Sequence, residues 1–197
     1  MKIWFHTFGC RVNQAEGEGL KERLLADGVT TLTTDFETAD LCVVNTCTVT
    51  GEGDMDALRL VRRIARRNPA ARPPVTGCLA TRSPEEISKA APAALVVGNA
   101  EKDTIPALLG CRPVPDEAAF RAFGGKTRAF LKVQDGCDMS CTYCIIPSVR
   151  PDLSSKPAEA AVAEARGLIE RGYKEIVLCG FRLGRYLDDS GRSRVDF

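Results

Sequence analysis

The chain has 197 residues, of which 44% are hydrophobic and 27% charged, and its 27 Lys and Arg against 26 Asp and Glu leave a formal net charge of +1. That apolar share excludes a disordered chain, and the length suffices for one large domain or two small ones with a buried core. The balanced charge implies no polyanion partner by itself. With no apolar run long enough to span a membrane and no signal-peptide order in Met1 to Cys10, a soluble cytoplasmic protein is the expectation.

Residues 2–8 (KIWFHTF) are apolar and β-prone and end at Gly9-Cys10. Leu20, Leu24 and Leu25 recur at helical spacing, and Gly28 stands where a helix would stop. LCVVN (41–45) reads as a buried strand. Ala57, Leu58, Leu60, Val61, Ile64 and Ala65 form one face of a helix closed near Pro69. Pro74 to Thr76 is a short strand before Gly77-Cys78, and Ser83-Pro84-Glu85-Glu86 reads as a capping box with proline at the first helical position. ALVVG (94–98) is a further strand, followed by a short helix up to Leu109. Strand and helix thus alternate over residues 1–111, the pattern of an α/β fold with a mostly parallel sheet.

Residues 112–128 read as a linker, with two prolines, Gly124-Gly125 and mixed charges. AFLKVQ (129–134) opens a second unit as a strand, a cysteine-rich loop follows, and Ala161, Val162, Ala165, Leu168 and Ile169 mark an amphipathic helix ended by Gly172. EIVLCG (175–180) is the next strand, so a right-handed strand–helix–strand crossover is expected. A barrel or sheet begun this way is unfinished at Phe197, which suggests a truncated or partial product.

Nine cysteines, at 10, 42, 47, 78, 111, 137, 141, 144 and 179, cannot all pair within one chain, and a disulfide framework is not expected without an export signal. His6 is the sole histidine, so any metal site must be built mainly from thiolates, which favour zinc or iron–sulfur clusters. Cys10, Cys47 and Cys78 each follow a strand. In a parallel sheet the carboxyl ends of strands share one edge, where ligands bind, so the three are expected to converge there rather than to be unrelated loop thiols. Cys137, Cys141 and Cys144 form CxxxCxxC, which lets one loop wrap three corners of a four-iron cube and leaves one iron open. On spacing alone, zinc and a redox dithiol of Cys141 and Cys144 stay open as alternatives.

CxxxCxxC with Tyr143 before its last cysteine resembles the radical S-adenosylmethionine (SAM) superfamily. TFGCRVNQAE (7–16), VVNTCTVT (43–50), VTGCLA (75–80), LVVGN (95–99) and FLKVQDGCDMSCTYCIIPSVR (130–150), in that order, resemble the radical SAM methylthiotransferases over nearly the whole chain. GCRVNQ, NTCTVT and CTYCIIP suggest the branch that acts on tRNA N6-threonylcarbamoyladenosine. The resemblance implies two [4Fe-4S] clusters, an auxiliary one on Cys10, Cys47 and Cys78 and a SAM-binding one on Cys137, Cys141 and Cys144. It also implies SAM as cofactor, with Tyr143 and Gly180 beside it, a tRNA anticodon stem-loop as substrate, and an electron donor of flavodoxin or ferredoxin type. It implies an N-terminal methylthiotransferase domain (1–111) and the start of a radical SAM partial barrel (129–197). The product would carry a methylthio group on C2 of the adenosine, a carbon unactivated for acid–base chemistry, so the cofactor carries the hard step.

The sequence departs from the family at Arg150-Pro151, where Arg-Gly is usual, and at Cys179-Gly180-Phe181-Arg182, where a Thr-Gly and asparagine pattern is usual. Other readings are a methylthiotransferase for isopentenyladenosine tRNA or a ribosomal protein, and, in a different class, a non-catalytic zinc-binding module. Arg59, Arg62, Arg63, Arg66 and Arg67 oppose the apolar face of their helix and present either a tRNA-facing or a merely solvated surface. Asn13 and Asn45 border the cysteines and are candidates to donate to cluster sulfurs. His6, Trp4, Phe5, Cys42 and Cys179 read as packing residues.

Overall fold

The computed structural model describes residues 1–26, 28, 30–111 and 127–187. β1 (Lys2–Thr7) leads through Gly9-Cys10 into α1 (Arg11–Leu25). β2 (Thr31–Leu32) and a single 3-10 turn (Phe36–Thr38) precede β3 (Leu41–Thr46), which feeds α2 (Gly51–Arg67). β4 (Pro74–Gly77) runs straight into α3 (Cys78–Arg82), then α4 (Pro84–Ala90), β5 (Leu95–Val97) and α5 (Ile105–Leu108). The five strands form one sheet in the order β2-β1-β3-β4-β5, and every neighbouring pair is parallel. The chain is α/β, as its alternating pattern predicts.

Each residue of β3 is buried because both faces of the sheet are covered by helices. Alternation along the strand divides the core. Cys42 and Val44 pack with Val61 and Ile64 of α2, while Leu41 and Val43 pack with Leu20 and Leu24 of α1. α2 begins earlier than its apolar face suggests. The Thr50 hydroxyl accepts from the Gly53 N–H at 3.1 Å, and Glu52 and Asp54 in the first turn oppose Arg66 and Arg67 in the last, matching the helix dipole. Asn68 ends it, donating from its side chain to the carbonyls of Phe36 and Ala39 at 2.8 Å each.

In the second half, β6 (Arg128–Lys132) is followed by β7 (Gln134–Asp135), α6 (Ile146–Val149), β8 (Ser154–Ser155), α7 (Ala158–Glu170) and β9 (Glu175–Cys179). β6 and β9 pair in parallel, and Leu168 of α7 packs with Ala129 of β6 on the face of that pair. Residues 112–126 of the expected linker lie outside the described residues, and β6 starts at Arg128 rather than 129. β6 packs against α1, so the second sheet sits on a helix of the first.

Three expectations need correction. AFLKVQ is not one strand: the chain breaks at Val133, whose N–H donates to Cys179 O at 3.0 Å, and Gln134 and Asp135 turn to pair antiparallel with β8. Ser83 is not a capping-box residue. Pro84 does open α4, but the Ser83 side chain makes no cap bond and its Oγ lies 3.4 Å from Arg82 Nε, leaving only its carbonyl to accept from Glu86 N–H. α3, whose five residues carry no apolar period, is invisible to a periodicity argument and forms because β4 ends against it.

Candidate metal centre

β1, β3 and β4 are adjacent and parallel, so their carboxyl ends share one edge of the sheet. Cys10 caps the start of α1 just beyond β1, Cys47 follows β3 directly, and Cys78 is the first residue of α3 directly after β4. The three thiols come together there. Burial pushes the Cys10 thiol up, and the proximity of Cys47 and Cys78 adds to it. Gly9 makes the approach possible. Its φ is +94°, and a Cβ at that position would lie 2.4 Å from both Cβ and Sγ of Cys47, so no side chain fits. Next to Cys47 in the chain, the buried Thr48 hydroxyl has no hydrogen-bond partner among the described residues. Soft thiolates gathered at a sheet edge fit an iron–sulfur group.

Cys137, Cys141 and Cys144 lie half-buried along one loop between β7 and α6. The loop is tied at both ends. The Cys137 N–H donates to Arg150 O at 3.1 Å, the Cys144 N–H to Cys141 O at 3.1 Å, and Arg182 beyond β9 pairs with Asp138 at 2.8 Å. Gly136 starts it with φ +71° and stands so close to the chain that a Cβ would sit 2.0 Å from Asp152 O. Among the described residues no three His, Cys, Asp or Glu side chains close to the spacing of a single metal ion.

Between the trios lies a buried charge network. Glu16 of α1 accepts from Lys102 Nζ at 2.6 Å, Lys132 Nζ at 2.7 Å and both terminal nitrogens of Arg150 at 2.7 Å. Arg150 and Lys132 also reach Asp135, at 2.9 Å each. Burial alone would raise the Glu16 carboxyl, but Lys102, then Arg150 and Lys132, hold it well below the usual carboxylate range. Burial pulls the Lys102 ammonium down against Glu16, while at Lys132 the two carboxylates outweigh burial and raise it. Asn99, after β5, joins this network to the sulfurs. Its Oδ1 accepts from Arg150 Nη2 at 3.2 Å, and its Nδ2 lies 3.5 Å from Cys78 Sγ and 3.3 Å from Val149 O.

The first half of the chain, residues 2–98, matches the family described as uncharacterized protein family UPF0004. Over 181 residues the chain is 39% identical to the threonylcarbamoyladenosine tRNA methylthiotransferase MtaB of Chlamydia pneumoniae, covering 91% of this chain and 43% of the relative. The protein of the same name in Bacillus subtilis is 38% identical over 205 residues, covering 95% and 45%. The tRNA-2-methylthio-N(6)-dimethylallyladenosine synthase of Cereibacter sphaeroides is 35% identical over 207 residues, covering 95% and 47%. The chain is thus similar to methylthiotransferases over nearly its whole length. It spans under half the length of these three relatives. Among the described residues no helix is long and apolar enough to cross a membrane.

The reading of two asparagines from their closeness to the cysteines is corrected. The Asn13 side-chain amide donates to the carbonyls of Phe8 at 2.6 Å and Thr46 at 3.1 Å, and the Asn45 amide to Asn13 O at 2.9 Å, so both side chains brace the strand ends, and Asn13 reaches the Cys10 thiol only through its main-chain N–H. The side-chain donor is Asn99, in the segment LVVGN but 21 residues from Cys78, a separation that adjacency in sequence could not reveal. Glu16, Lys102, Lys132 and Arg150 are equally hidden, since each reads as an ordinary charge until the fold buries it. Tyr143 is 90% exposed and packs on nothing within its loop. Gly180 lies against Gln134, where a Cβ would be 2.7 Å from Oε1. Cys179 ends β9 opposite Lys132; burial, with Cys10 adding, pushes its thiol up to about 12. His6 stacks on Trp4 at 5.6 Å in the half-buried aromatic row of β1, and burial lowers its pKa.

Proposed function

We propose that this chain holds the two cysteine sites of a radical SAM methylthiotransferase that modifies C2 of N6-threonylcarbamoyladenosine beside the anticodon of tRNA. What supports this most is that Cys10, Cys47 and Cys78 meet at the carboxyl edge of three neighbouring strands, while a CxxxCxxC loop is tied to the same edge through Arg150 and Asn99. In this reading residues 1–111 form the auxiliary-cluster domain and residues 129–197 open the SAM domain, with 112–128 between them. Cys10, Cys47 and Cys78 would ligate the auxiliary [4Fe-4S] cluster, and Cys137, Cys141 and Cys144 the SAM cluster. When bound, clusters and SAM supply the one-electron chemistry, sulfur and methyl group that an unactivated purine C–H requires. The protein's own residues orient and shield. The sheet edge buries Cys47 and Cys78 from water, and Arg182 with Arg150 fixes the path of the second loop. The exposed ring of Tyr143 is free to cover SAM's adenine, and Gly180 would lie at the SAM pocket. The partners are a tRNA anticodon stem-loop and a flavodoxin- or ferredoxin-type electron donor, in the cytoplasm.

Anaerobic reconstitution tests the sites. About eight irons and eight sulfides per chain are expected, about four surviving in either triple Cys→Ala variant. A colourless chain with stoichiometric zinc would instead establish a zinc-binding module and overturn the reading. The target base is tested separately, by assaying the intact coding product on anticodon stem-loops carrying threonylcarbamoyl- or isopentenyladenosine. Methylthiolation of only the isopentenyl substrate would shift the specificity to that of the Cereibacter sphaeroides relative.

A further inference from the structure

The amide of Asn99 has one orientation available to it. A guanidinium only donates, so the atom 3.2 Å from Arg150 Nη2 is the oxygen. A main-chain carbonyl only accepts, so the atom 3.3 Å from Val149 O is the nitrogen. The second N–H of that nitrogen is then directed at Cys78 Sγ, 3.5 Å away. The Asn99 main-chain N–H donates to Thr81 Oγ1 at 2.9 Å, which fixes the residue against the same short helix that carries Cys78. Arg150 is itself immobilised by Glu16 and Asp135, and its carbonyl receives the N–H of Cys137, the first cysteine of the other trio.

From this we propose that Asn99 is a positioning residue for Cys78, an N–H donor to its sulfur whose aim is set by Arg150, the residue that also anchors the second cysteine loop. The part that concerns a cluster-bound sulfur rests on the two-cluster reading above. The contact itself does not. A donor to a ligating sulfur stabilises the more negative, reduced form of a cluster, so its removal moves the midpoint potential to more negative values.

The test uses the whole chain in two arms. In a Cys137→Ser, Cys141→Ser, Cys144→Ser background only the first trio can load. There the midpoint potential, followed by electron paramagnetic resonance at unchanged iron content, is expected to fall in Asn99→Ala and further in the isosteric, acceptor-only Asn99→Asp. Equal potentials in all three overturn the proposal. If Asn99→Ala does not load, the Asn99→Asp comparison decides. In the metal-free chain labelled with nitrogen-15, the Asn99 side-chain amide signals are expected to shift in Cys78→Ala and to stay in place in Cys42→Ala, a cysteine of the α2-side core. Signals unmoved by Cys78→Ala overturn the contact. A wild-type chain that takes up no iron defeats the two-cluster reading, and the metal-free arm still decides Asn99.

Discussion

Cys10, Cys47 and Cys78 stand beyond the ends of three different strands, whereas Cys137, Cys141 and Cys144 share one loop. The first trio is spaced by a hydrogen-bonded sheet whose core is closed on both faces, so its geometry follows from the packing of β3 between α1 and α2. The second trio is spaced by its own short sequence, and only its position relative to the first has to be imposed. That is done by polar groups: Arg150, Asn99 and Glu16. A sheet edge tolerates removal of one hydrogen bond, but a loop located by a buried ion network does not, because removing one partner strands the others without water.

The largest effect should therefore come from Glu16. Glu16→Gln leaves Lys132 and Arg150 with Asp135 as their only carboxylate and Lys102 with none, and is expected to cost about 3–5 kcal/mol in urea unfolding. A loss no larger than that of an exposed pair would mean the loop is located by something else. Next comes Gly9→Ala, which forces a side chain onto Cys47 and a positive φ on alanine. It should destabilise by about 1–3 kcal/mol and lower iron uptake at the first trio while sparing the second, sharpening the contrast between them.

The pH dependence is a subtler measure of the same network. The Glu16 carboxyl is depressed in the folded state, so its contribution is fully present above the unfolded value of about 4.3 and is lost as pH falls through the folded one. The difference in stability between wild type and Glu16→Gln should be flat near neutrality and shrink only in acid. A difference that changed between about pH 6 and 8 would assign it to another group. Cys179, at about 12, should stay a thiol at neutral pH and alkylate more slowly than the half-buried loop cysteines. The smallest effect belongs to α2. Arg59 is paired with Asp56 at 2.8 Å, Arg67 with Glu37 at 3.7 Å, and Arg63 lies over Phe36 at 5.1 Å. Arg62 and Arg66 are thus the best placed to meet phosphates. Replacing both should lower the salt dependence of tRNA binding by about 0.7–0.9 for each phosphate no longer neutralised, and no change would mark the face as merely solvated.

Much of the frame is legible in the sequence. The buried run LCVVN, the apolar face of α2, and the short strands before Gly9-Cys10 and Gly77-Cys78 all follow from periodicity and turn chemistry, and with them the edge on which three cysteines fall. What escapes are elements too short to carry a period, such as α3, α6 and β8, and the split of AFLKVQ at Val133. Asn13 and Asn45 escape as well, because closeness in sequence says nothing about where an amide points once strand-end carbonyls compete for it.

By itself the sequence determined the α/β alternation and the cysteine spacings, since both are local patterns of apolar period, turn residues and thiols. Tertiary structure alone decided that the buried Lys102 and Arg150 and the half-buried Lys132 would gather on Glu16 and that Asn99 would reach Cys78. Those contacts join residues as much as 134 positions apart, and a charge or an amide acquires its role only when packing removes the water around it.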